Sequence, residues 1–125
     1  GPGVVRRVKV ETRPALLARR SHQAVVSLLL VPLEKKKEGI GKVALAVFFN
    51  GKRVKGSGDD VWFNLKRMIE DFARRIYEMP GVVPPEVLVD MIGDIPLKFY
   101  DKVLDVSFSA GVKNVRRASV KTVYP

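Results

Sequence analysis

Apolar residues in this chain fall into blocks whose spacing changes along its length. Ala24–Leu33 is a short apolar run rich in Val and Leu, the form of a strand buried on both faces. Lys42–Phe49 also reads as a strand. Asn50-Gly51 follows it and supplies the two positive-φ positions of a type I′ turn. Lys52–Lys55 then returns as the partner strand, and Gly56-Ser57-Gly58 breaks it. Beyond the glycines the period becomes helical. Val61, Leu65, Met68, Ile69, Phe72 and Ile76 recur at spacings of three and four. They predict a long helix, capped by Ser57 or Asp59 and running to about Met79, where Pro80-Gly81 stops it.

The flanking segments read less sharply. Val4, Val5, Val8 and Val10 alternate with cations as a basic first strand or extended arm. Thr12 is placed to cap a short helix that starts at Pro14 and runs to Arg20. Glu34–Gly41 is a charged loop. Pro84 and Pro85 introduce a shorter helix, Glu86–Ile92, ended by Gly93. Asp94–Tyr100 reads as a loop or one helical turn after Pro96. Leu104, Val106, Phe108 and Ala110 alternate with polar residues, which predicts a half-buried strand. Val112–Tyr124 reads as a last basic strand. The sum is an α+β fold: a small, mostly antiparallel sheet of four to five strands, packed against one long and one or two short helices.

At 125 residues the chain has the length of one domain. Residues 4–125 are assigned to it, and Gly1-Pro2-Gly3 resembles a protease-cleavage scar. There is no cysteine, so disulfide scaffolding, thiol catalysis and Cys-ligated zinc are excluded. No apolar run reaches the roughly 20 residues that span a bilayer. These features lead to the expectation of a soluble cytoplasmic protein that does not engage a membrane. Gln occurs once and Asn three times amid many Lys, Arg and Val residues, a composition that points to a heat-adapted source.

Charge narrows the function classes. The net charge is +10, and it is uneven along the chain. Residues 1–60 hold 13 basic and 5 acidic side chains, residues 61–105 hold 6 and 8, and residues 106–125 hold 4 and none. Segmental excess of this kind suits a polyanionic partner. Catalytic constellations are sparse. His22 is the single histidine, with no metal-ligand spacing around it. Asp59-Asp60 is a carboxylate pair of the kind that binds magnesium, and helix capping also accounts for it. Gly56-x-Gly58 lacks the remainder of a phosphate-loop motif. No cofactor is implied.

Single-stranded nucleic acid needs cations for phosphates and exposed rings for bases. Arg6, Arg7, Lys9, Arg19, Arg20, Lys52, Arg53, Lys55, Arg116, Arg117 and Lys121 are the candidate phosphate contacts. Trp62 and Phe63 are adjacent on the long helix, so both cannot lie along its apolar stripe. Phe48 and Phe49 are adjacent on a strand and face opposite sides of the sheet. With Phe49 in the core, Phe48 lies over Ala44 and Ala46 on a small-residue floor. Trp62, Phe63 and Phe48 are therefore the candidate stacking rings.

The block from Lys42 through the hairpin, Gly56-Ser57-Gly58-Asp59-Asp60, Val61-Trp62-Phe63-Asn64-Leu65 and into the long helix resembles the N-terminal domain of the archaeal ThermoDBP and ThermoDBP-related family. These are single-stranded DNA-binding proteins of hyperthermophiles. The resemblance implies an antiparallel sheet packed with helices, a basic and partly apolar cleft, and a homo-oligomer, either a dimer or a tetramer. The coiled-coil extension of ThermoDBP has no counterpart after Tyr124. The leading expectation is a sequence-tolerant, non-enzymatic single-stranded DNA-binding protein. RNA binding, a small magnesium-dependent nuclease using Asp59 and Asp60, and a protein-interaction module with exposed aromatic hot spots are the alternatives.

Overall fold

The computed structural model describes residues 9–33, 42–81 and 83–119. A 3-10 turn, Val10–Thr12, leads into a single helical turn, α1, Pro14–Leu17. Then come β1 (Gln23–Pro32), β2 (Val43–Phe49), β3 (Lys52–Arg53), α2 (Asp59–Glu78), β4 (Glu86–Ile92), α3 (Leu97–Ser109) and β5 (Asn114–Arg117). The strands form one five-stranded sheet in the order β3-β2-β1-β4-β5. The fold is α+β, as the sequence implies. Its pairing is mixed: β1–β2 and β2–β3 are antiparallel, whereas β1–β4 and β4–β5 are parallel.

Two elements depart from the sequence reading, and together they explain the parallel half. Glu86–Ile92 is a strand, not a helix, and it lies beside the central strand β1. Leu104–Ala110 is not a strand; all but its last residue belong to α3. The segment β4-α3-β5 is thus a strand, a crossover helix and a parallel strand, the connection that parallel pairing requires.

Both long helices pack on one face of the sheet. Ala24, Val26 and Leu28 of β1, Val87, Val89 and Met91 of β4, and Val47 and Phe49 of β2 face them. Leu65, Ile69, Phe72, Ala73 and Ile76 of α2 meet this surface, joined by Val103, Val106 and Ala110 from α3 and its end. The Phe49 and Phe72 rings meet edge to face, 6.3 Å between centroids and 70° between planes.

The N-terminal segment lies on the opposite face. Arg13 donates two 2.9 Å hydrogen bonds to the Asp90 carboxylate, one from Nε and one from Nη2. The Asp90 side chain is 3% exposed and sits in the middle of β4. Its register partner on β1 is Ser27, whose buried Oγ has no partner among the described residues. Thr12 does not cap α1. Its hydroxyl donates to the Lys9 carbonyl at 3.0 Å within the 3-10 turn, and α1 ends at Leu17 rather than Arg20.

The hairpin forms as its dipeptide predicts. Asn50 has φ 48° and Gly51 φ 86°. Helix α2 starts one residue after Gly58, which occupies the cap position with φ 57° and makes no side-chain cap. Neither Ser57 nor Asp59 caps it; Asp59 and Asp60 stand in its first turn, where the helix dipole favours them.

Candidate binding edge

Strand β2 alternates its backbone groups between two neighbours, as antiparallel ladders do. The Asn50 N–H, just past its end, donates to the Val25 carbonyl at 2.8 Å, and the Leu33 N–H donates to the Lys42 carbonyl at 2.7 Å. Even-numbered positions therefore turn towards β1, and odd-numbered positions turn outward. Outward, Val47 accepts from the Val54 N–H at 2.8 Å. Strand β3 pairs only with Phe48 and Phe49. Among the described residues, the outward N–H and C=O of Val43 and Leu45 meet no backbone partner. Val43 is 60% exposed.

The sequence places the partner strand at Lys52–Lys55, but the strand ends at Arg53 and its last bond to β2 comes from Val54. Gly56 (φ 107°) and Gly58 turn the chain away into α2. A Cβ added at Gly56 would come within 2.9 Å of the Asp60 Cβ, so the turn is closed tightly. Along the exposed stretch of β2 runs an apolar groove of about 520 Å³. Leu45, Val47, Val61, Trp62 and Phe99 line it, with Arg53 at its rim.

The candidate aromatic rings divide by position. Phe63 is 61% exposed. Trp62 is half-buried and packs against the core beside the groove. Phe48 is half-buried, and the Arg53 guanidinium carbon lies 5.7 Å from its ring centroid. The expected small-residue floor is not accessible as such, because Ala46 is fully buried.

The candidate cations form separate groups. Arg6, Arg7 and Lys121 lie outside the described residues. Lys9 is exposed ahead of the 3-10 turn. Lys52, Arg53 and Lys55 belong to the β3 edge. Arg116 and Arg117 belong to β5 at the other edge, about 19 Å away at about 4.8 Å per strand. Arg20 and Arg116, with His22, line a second cavity of about 530 Å³ beside α1. Arg19 is next to it and donates to the Gln23 carbonyl at 3.3 Å. Among the described residues, the hairpin cations and the β5 cations Arg116 and Arg117 therefore stand at opposite edges of the sheet.

Arg116 is also engaged locally. Its Nε donates to Glu86 Oε2 at 3.0 Å, and Gln23 Nε2 donates to Glu86 Oε1 at 2.7 Å. Burial raises the Glu86 pKa, but the hydrogen bonds from Arg116 and Gln23 and the charges of Arg116 and His22 together outweigh it. The carboxyl is held below its ordinary value of 4.5. A lowered folded-state pKa gives stability that is present above the unfolded value and lost as pH falls through the folded one. Glu86→Gln is therefore expected to flatten the part of the acid limb that lies below about pH 4.5. Urea midpoints of both proteins between pH 7 and 3 check this, and parallel acid limbs would contradict it.

Among the described residues there is no cluster of three or more side chains suited to a metal ion. Nor is any described helix long and apolar enough to cross a membrane. Comparisons with protein families, with curated proteins and with solved structures return no match.

The exposed edge and the place of Phe99 beside it are not legible in the sequence. The available signal was a glycine break only four residues after Asn50-Gly51, too soon for β3 to match the length of β2.

Proposed function

We propose that this chain is a binding module that takes an extended polypeptide segment as an added strand along β2. The observation that carries this reading is the pair of outward-facing backbone sets at Val43 and Leu45 beside an apolar groove. An added strand satisfies those groups, while alternate side chains of the guest enter the groove. Exposed edges are ordinarily blunted or covered, because they invite pairing.

A proline at position 43 tests the reading. It removes an N–H that points away from β1, so the β1–β2 ladder keeps its bonds; edge strands tolerate proline in that orientation. A fluorescein-labelled seven-residue peptide of alternating Val and Thr is expected to bind the parent chain. Val43→Pro is expected to weaken it at least about tenfold, the loss of about 1.4 kcal/mol of backbone pairing. Equal anisotropy titrations for the two proteins would remove β2 as the site.

Single-stranded nucleic acid is the second reading. It is favoured by the Arg53–Phe48 stack, by exposed Phe63 and by the +10 charge. It is also what the ThermoDBP-related resemblance implies. The wide separation of the β3 and β5 cations weighs against a single basic cleft. Oligo-dT and poly-U titrations separate DNA from RNA within this reading.

A further inference from the structure

We propose that the guest strand is an acidic segment of another protein, with carboxylates on one face and apolar residues on the other; this rests on the strand-docking reading above. The two faces of β2 differ. Val43, Leu45 and Val47 are on the side of α2 and α3, where Trp62 and Phe99 line the groove. Asp59 and Arg53 both line the groove, so a guest carboxylate inside it would meet charge of both signs and gain little. The even-numbered positions lie on the opposite face. Lys42 is at one end, and Phe48 is at the other with Arg53 paired across from it. Positions 42 and 48 are six steps apart, about 20 Å of strand. Among the described residues neither Lys42 nor Arg53 has a salt-bridge partner; the bridges there are Arg13–Asp90, Arg74–Asp71 and Arg116–Glu86. Arg53 lies against an aromatic ring instead.

Charge also selects against a second copy of this chain. In an antiparallel two-fold pair centred on Leu45, Lys42 of each copy would stand opposite Phe48 of the other, next to Arg53. That sets cation beside cation at both ends, on a chain that already carries +10. An acidic guest meets the same two positions with opposite charge. The groove side then accepts its alternate apolar residues.

Three labelled seven-residue peptides test the proposal. Each has valines at the groove-facing positions and Glu, Gln or Lys at the others. The Glu peptide is expected to bind about fivefold more tightly than the Gln peptide at low salt, the size of two exposed ion pairs. Salt should close that gap, and the Lys peptide should bind weakest. In the Lys42→Gln/Arg53→Gln variant the Glu and Gln peptides should bind alike. Equal Glu and Gln affinities on the parent chain would overturn the acidic preference and leave strand docking standing. Failure of all three to bind would overturn both. Oligo-dT that binds more tightly and displaces the Glu peptide would assign the edge to nucleic acid. A dimer in light scattering that the Glu peptide dissociates would assign it to self-pairing.

Discussion

Arg13→Met is expected to lower stability by about 3 kcal/mol, and adding Asp90→Leu to return most of that loss. The Asp90 carboxylate is almost fully buried in the middle of a central strand, and Arg13 supplies both of its bonds. Removing one partner of such a pair leaves an uncompensated charge, at about 3–5 kcal/mol; replacing both with apolar groups is often neutral. The lower end applies because the Arg13 side chain is itself 27% exposed. Its hydrogen bond with Asp90 raises the Arg13 pKa above the ordinary guanidinium value. A raised folded-state pKa contributes stability that is intact below the unfolded value, so the loss should be the same at pH 7 and pH 9. Urea unfolding of the two variants and the parent measures it. A single-variant loss under about 1 kcal/mol would show that the N-terminal segment is not held to the sheet by this pair.

Phe72→Ala is expected to cost about 3–5 kcal/mol. The ring is 5% exposed, packs edge-on against Phe49 and lies one helical turn from Ile69 and Ile76. It fastens α2 to β2, and α2 carries Trp62 and Val61 into the groove. Phe72→Leu keeps much of the volume and should cost under about 2 kcal/mol. Thermal unfolding of both variants orders them. Equal midpoints would mean that the helix does not depend on this contact.

The parts of the fold legible in the sequence are those whose local signals agree. The apolar run of β1, the Asn50-Gly51 turn and the three-and-four spacing of α2 each pointed to one element, and each formed. Strand β4 was obscured because its residues are buried on both faces, so no alternation marks it. Val87, Val89 and Ile92 carried the β-branched signal, but Pro84-Pro85 and Gly93 suggested helix boundaries. Helix α3 was hidden by an accidental alternation. Leu104, Val106 and Phe108 alternate, yet Phe108 is 53% exposed. The set that is buried is Val103, Val106, Ser107 and Ala110, which has helical spacing. With β4 and α3 exchanged, no parallel crossover was visible.

Burial of side chains was easier to foresee than the site. The helical angle placed Phe63 away from the stripe, and it is exposed; strand parity put Phe48 on the face opposite Phe49. The binding edge is made of backbone groups, which carry no residue identity. It arises from the unequal lengths of β2 and β3, a relation between two elements that no single motif reports.

Backbone amide hydrogen exchange at Val43 and Leu45, with and without the saturating Glu peptide, tests strand docking most directly. The expected result is slowed exchange at both amides, with little change at Arg116 and Arg117 on the far edge. Unchanged exchange at Val43 and Leu45 while the peptide is bound would contradict an added strand on β2.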